Sequence, residues 1–146
     1  MNGTRSKHGA AVAGFSPATL DAFFALAHAG NLPGGVDILT GEAGREATGT
    51  RVRFTLRVAG DCVVEARFQA YGCPHTLAVA NWIAGVLPGR RLEALVPGTP
   101  AEWAGRFEVP APKLGRLLVI EDALRDCVAK WRGGDHGRAV RRTMAP

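Results

Sequence analysis

Residues 51 to 70 alternate between apolar and polar side chains, and that period of two leaves little choice but a half-buried sheet. Val52, Phe54, Leu56 and Val58 alternate with Arg51, Arg53, Thr55 and Arg57. Ala59-Gly60-Asp61 supplies a short turn, and a second run follows. There Cys62, Val64, Ala66, Phe68 and Ala70 are expected on one face, with Val63, Glu65, Arg67 and Gln69 on the other. Two such runs around a Gly-containing turn predict an antiparallel hairpin.

Helical spacing frames the hairpin. Ser16-Pro17 pairs a favoured N-cap with proline at the first helical position, and Leu20, Phe23, Phe24 and Ala27 give an apolar face up to Gly30. Residues 30–50, rich in Gly and short polar side chains, read as a long irregular connection. After Gly72 a helix is expected from Pro74, with Leu77, Ala80, Trp82, Ile83 and Val86 as its apolar positions and Leu87-Pro88-Gly89 as its end. Leu92 to Val96 suits a short helical turn. Thr99-Pro100-Ala101-Glu102 has the form of a capping box opening a short helix that contains Trp103. Val109-Pro110-Ala111-Pro112 reads as an extended linker. A last helix is expected from about Lys113 to Trp131, with Leu114, Leu117, Leu118, Glu121, Leu124, Val128 and Trp131 along one side. The fold class is α+β: a small antiparallel β-meander with helices packed on one face.

A chain of 146 residues suits one domain. The reading is a flexible leader over 1–14, a domain over 15–132 and a basic flexible tail over 133–146 that holds Arg138, Arg141 and Arg142. The net charge of +5 comes with no nucleic-acid docking motif, so no nucleic-acid partner is expected. No apolar run has the length of a membrane span, and the basic start is not followed by an apolar segment. The expected location is therefore cytoplasmic.

Three cysteines are present, Cys62, Cys73 and Cys127, without any Cys-x-x-Cys spacing. An odd number at irregular spacing argues against a disulfide framework. Cys73 stands where a strand ends and a helix begins, near the helix N-cap. Unpaired N–H groups and the helix dipole there favour thiolate, the form that attacks sulfur and binds metal. Its bland alternative is a small buried hydrophobe. His75 offers a second ligand or a proton acceptor, against the plainer reading of a polar residue in an exposed first turn. Cys62 beside a turn and Cys127 on an apolar helix face read as structural. No Ser-His-Asp set, phosphate loop or carboxylate pair stands out, and Glu121-Asp122 reads as solvent-facing.

Arg67-Phe68-Gln69-Ala70-Tyr71-Gly72-Cys73-Pro74, then a helix, then Gly89-Arg90-Arg91-Leu92-Glu93-Ala94, resembles the NifU/IscU family of iron–sulfur cluster scaffolds. That family reads approximately Lys-Phe-x-x-x-Gly-Cys-Gly/Pro, a helix, then Gly-Lys-Ser-Leu-Asp-Glu-Ala. Lys113-Leu114, then an apolar stretch and Glu121-Asp122-Ala123-Leu124, is similar to the family's Lys-Leu-His-Cys and Glu-Asp-Ala-Ile. The likeness covers about residues 28–131 and implies a SufE/NifU-like fold on which three cysteines hold an iron–sulfur cluster or iron. Here Thr48 and Thr50 stand at the positions of the family's first cysteine and its aspartate, and Gly115 and Arg116 at those of its histidine and third cysteine. Only the middle cysteine remains, as Cys73.

Such a cluster needs four protein ligands, mostly thiolates, and one thiolate with one imidazole does not close that site in a monomer. The resemblance places Arg116 near Cys73, where a fixed cation lowers a thiol's pKa. Three readings follow. The chain is a degenerate scaffold that borrows ligands across a homodimer through Cys73 and His75. Or it is a SufE-like acceptor, carrying persulfide on Cys73 from a cysteine desulfurase. Or it is a regulatory binding module of the same machinery. The family's chaperone-binding Leu-Pro-Pro-Val-Lys appears weakened as Val109-Pro110-Ala111-Pro112-Lys113, which implies an Hsp70-type chaperone as a further partner.

Overall fold

The computed structural model describes residues 15–19 and 26–134. The expected leader, Leu20, Phe23 and Phe24 of the first helix, and the tail beyond residue 134 lie outside the described residues. Three strands form one antiparallel sheet in the order β1 (Ile38–Arg45), β2 (Thr50–Ala59) and β3 (Cys62–Tyr71). Helices α1 (Pro74–Val86), α2 (Pro100–Phe107) and α3 (Leu114–Gly133) follow. Helix α3 packs across β1 and β2, and α1 lies against β3, so both cover the same apolar face of the sheet. The α+β meander read from the sequence is the observed architecture.

Strand β1 falls inside the stretch expected to be irregular. Its sequence, Ile38-Leu39-Thr40-Gly41-Glu42-Ala43-Gly44-Arg45, has two glycines where a pattern-based reading looks for apolar side chains. Gly41 is where α3 crosses the strand. A Cβ there would lie 2.5 Å from both the backbone nitrogen and the Sγ of Cys127, and 2.6 Å from the Ala123 carbonyl oxygen. The glycine is the condition for close contact between helix and strand. Asp126 Oδ2 then accepts from the Glu42 N–H at 3.0 Å, tying α3 to the backbone of β1.

The hairpin also departs from its expected pattern. Arg57 pairs with Glu65 while Val58 pairs with Val63, so Val64 is an extra residue in a β-bulge. Every side chain before the bulge is thereby turned over: Val63 is buried and Val64 is exposed, the reverse of simple alternation. Beyond the bulge, Ala66 and Phe68 point to the core as expected.

Helix α1 buries more of its surface than a single stripe, with Ala78, Val79, Ala80, Asn81, Ile83 and Ala84 inside while Val86 is exposed. On α3 the buried face is Leu117, Ile120, Ala123, Leu124, Cys127 and Trp131, rotated from the expected one, so Leu118 is exposed. Small Ala123 and Cys127 face the strand because only they fit over Gly41. The Thr99–Glu102 capping box is present in full, with both reciprocal hydrogen bonds formed. The proline-rich linker closes into a 3-10 turn, Ala111–Lys113, immediately before α3.

Candidate functional site

Three chain reversals gather at one end of the sheet. Arg45 pairs with Thr50, and Arg51 with Tyr71, so the β1–β2 turn lies beside the end of β3. A Cβ on Gly44 would collide with Val119, which brings the start of α3 to the same end. Thr48 in the turn, Cys73 after β3 and Arg116 in the first turn of α3 therefore share this end of the molecule.

Cys73 is the N-cap of α1, with extended backbone (φ −81°, ψ 170°) and Pro74 at the first helical position. Its thiol is half-buried, with Sγ 3.8 Å from Thr76 Oγ1. A Cβ on Gly72 would sit 3.0 Å from that same Oγ1, so the glycine makes room for the hydroxyl beside the sulfur. Burial alone would raise the Cys73 pKa. Hydrogen bonds from the Thr76 amide and hydroxyl, the Arg116 guanidinium and the His75 amide outweigh it, and the thiol titrates below its ordinary range. The other two cysteines differ. Cys127 is fully buried and its pKa is pushed up to about 12, by burial first and the Asp126 carboxylate second. Cys62 is partly buried, with Sγ 3.5 Å from Asp61 Oδ1.

His75 does not lie in an exposed first turn: it is fully buried. The Phe15 ring covers it at 4.6 Å between centroids, and Lys113 Nζ sits 4.8 Å from the centroid of that same Phe15 ring. Lys113 Nζ is 3.4 Å from His75 Nδ1, while His75 Nε2 is buried without a hydrogen-bond partner. Burial, then Lys113, then Arg116 lower the His75 pKa to about 4. The imidazole is neutral at physiological pH. In the unfolded chain it takes up a proton near pH 6.5, so stability is expected to fall as pH drops from about 6.5 to about 4. The slope from this one group is at most about 1.4 kcal/mol per pH unit. Urea melts of wild type and His75→Phe across that window check this, the variant losing that part of the slope.

Thr48 is exposed and donates to the Arg45 carbonyl, and Thr50 is buried at the start of β2. Among the described residues no group of three or more His, Cys, Asp or Glu side chains is placed to hold a metal ion. Sequence reasoning named Lys113 as the start of the last helix and within the family-like segments, without a role beside His75, and passed over Thr76. The signals were available: Thr76 is the N3 residue of a helix capped by Cys73, and Lys113 immediately precedes the helix that carries Arg116.

A three-stranded meander backed by helices on one face, with a thiol at the strand-to-helix junction, makes a small α+β domain. The chain belongs to the NifU-like N terminal domain family, whose profile matches residues 15–136. It is 37% identical over 100 residues to the bifunctional protein NifU/MnmA of Rubrobacter xylanophilus, covering 65% of this chain and 20% of that one. It is 30% identical over 105 residues to the mitochondrial iron sulfur cluster assembly protein 1 of Schizosaccharomyces pombe, covering 70% of this chain and 55% of that one. The chain thus spans a fifth to little more than half of these relatives. In fold it is similar to a crystal structure from Fervidobacterium islandicum described as a candidate iron–sulfur cluster assembly scaffold of the SUF system. There the TM-score is 0.64 at 14% identity, over 77% of this chain and 95% of that one.

Proposed function

We propose that this chain is an iron–sulfur cluster assembly protein that works through a single thiol. Cys73 accepts sulfane sulfur from a cysteine desulfurase and passes it into cluster assembly, as the SufE-like reading holds. The relatives' names support the process. The observation that carries the molecular role is the setting of Cys73: the Thr76 and His75 amides, the Thr76 hydroxyl and Arg116 favour the ionised form of its thiol against burial, with the guanidinium standing where the family keeps a third cysteine. A cation beside the sulfur favours an anionic nucleophile and disfavours a cationic metal cargo. One copy offers Cys73 and the buried His75 toward iron, and a cluster as cargo would need ligands from elsewhere. In the chaperone-like segment Pro110, Ala111 and Pro112 are exposed while Val109 is buried in the core, and an Hsp70-type partner would meet the exposed prolines. Among the described residues no helix is long and apolar enough to cross a membrane, and a cytoplasmic site of action fits this reading.

The test is intact mass after incubation with a cysteine desulfurase and cysteine. Wild type is expected to gain the mass of one sulfur atom and Cys73→Ser none. No gain on wild type, or the same gain on the variant, refutes the reading. Anaerobic iron reconstitution on the same sample separates it from a cluster-holding scaffold, which would take up stoichiometric iron.

A further inference from the structure

A cavity of about 540 Å³ is lined by the C-terminal parts of α1 and α2, away from the end of α1 that Cys73 caps. Trp82 and Phe107 give it apolar walls, their rings edge-on with centroids 6.1 Å apart, and Val86 extends those walls toward solvent. The Ser16 and Thr19 hydroxyls donate to the Phe107 carbonyl at 2.9 and 2.8 Å, which holds Ala18 at the rim. The His28 carbonyl accepts from the Phe68 N–H on β3, and a Cβ on Gly85 would come 2.9 Å from His28 Nε2, so the glycine lets that ring lie against α1.

Two polar groups converge on this apolar space. Asn81 is only 7% exposed. Its Oδ1 accepts from the His28 backbone N–H at 3.0 Å, which assigns the amide and makes the other atom the NH2. That NH2 has no acceptor among the described residues and is not sealed off, so it opens onto the cavity that Asn81 lines. The second group is Arg106, whose guanidinium carbon lies 4.6 Å from the centroid of the Trp82 ring. Stacking on a ring uses the face of the guanidinium and leaves its in-plane N–H donors available. Arg51, Arg53, Arg57, Arg67, Arg91 and Arg125 each pair with a carboxylate. Arg106 has no such partner among the described residues, and no described acidic side chain lines the cavity.

We propose that this cavity binds a small carboxylic acid with an apolar body, of the medium-chain fatty acid class. The carboxylate oxygens accept from Arg106 and from the Asn81 NH2, and the body lies against Trp82, Phe107 and Val86. Arg106 alone would take any anion, and the walls alone any hydrocarbon. Together they select a molecule that carries both features. The volume is that of a small-molecule site. From residue 73 to residues 82–86 the helix rises about 14–20 Å, so the site is separate from the thiol and does not depend on what Cys73 carries.

The test is an amide proton–nitrogen correlation spectrum of the full chain titrated with octanoate, with octanol and acetate in parallel. The Asn81 side-chain amide pair and the Trp82 indole N–H are expected to shift together and saturably with octanoate. Octanol has the body without the charge and acetate the charge without the body, and each is expected to bind about tenfold or more weaker. Arg106→Met keeps an apolar stem on Trp82. It is expected to weaken octanoate by about tenfold or more while leaving octanol unchanged, with Arg106→Lys recovering part of the loss. Equal binding of octanoate and octanol to wild type overturns the proposal, because the polar pair then selects nothing. So does a spectrum in which Asn81 and Trp82 stay still, or in which octanoate moves only the residues around Cys73. Equal weakening of both ligands in Arg106→Met is what general damage to the cavity would give, and it removes Arg106 as the carboxylate's partner.

Discussion

Near neutral pH, iodoacetamide is expected to label Cys73 in the folded chain at least about a thousandfold faster than Cys127. The thiolate is the reacting form, and the two sulfurs differ in how the fold treats that charge. Cys127, with its pKa at about 12, is almost wholly protonated and is sealed between α3 and β1. Cys73 lies below the ordinary value near 9, and its sulfur is half-exposed. The difference of about three pKa units gives about a thousandfold in thiolate fraction, the greater nucleophilicity of the more basic sulfur offsets part of it, and the sealed position of Cys127 restores the gap. Arg116→Met is expected to move the midpoint of the Cys73 rate–pH profile upward, while Arg116→Lys keeps part of the effect. Peptide mapping after timed labelling measures both. A Cys73 midpoint unchanged in Arg116→Met would show that the guanidinium does not act on the sulfur. Full denaturation should make Cys127 react like any exposed cysteine.

Gly41→Val is expected to be strongly damaging, costing about 3 kcal/mol or more and lowering the yield of folded protein. The first atom added already lies 2.5 Å from the backbone nitrogen of Cys127, and backbone cannot swing aside as a long side chain can. Relief requires α3 to lift from β1, which would also break the 3.0 Å bond from the Glu42 N–H to Asp126. Gly105 on α2, with nothing near its added Cβ, serves as the control. Gly105→Ala is expected to be neutral or stabilising by about 0.5–1 kcal/mol, because alanine favours helix. Urea melts of both variants decide the matter, and a Gly41→Val protein with wild-type stability would contradict the close crossing.

The same crossing explains what sequence reasoning could reach. Strands β2 and β3 announce themselves because Val52, Phe54 and Leu56 must alternate with polar residues to face a core. Strand β1 hides, because Gly41 and Gly44 answer to the helix and turn packed beside them and not to the strand's own pattern. Local alternation likewise cannot reveal the extra residue at Val64, since a bulge is a property of the pair and not of one strand. At the site, Cys73 was legible because an N-cap position is local: glycine before it and proline after it mark the spot. The burial of His75 was not, because Phe15 and Lys113 close over it from positions 60 residues upstream and 38 residues downstream. Polar residues in first turns are usually wet, and only tertiary packing overrules that expectation.

The outer edge of β3 has a consequence for assembly. Gly89, Arg90 and Leu92 bond to the Asp61–Val63 end of the hairpin, while His28 and Gly30 bond to Phe68 farther along. Two short pieces, from before β1 and after α1, thus occupy both halves of an edge that would otherwise offer free N–H and C=O groups to another strand. The strand that delivers Cys73 is closed to sheet extension unless those backbone bonds are broken first. Two copies that bring their thiols together therefore do so without pairing their β3 edges at Val63 and Phe68.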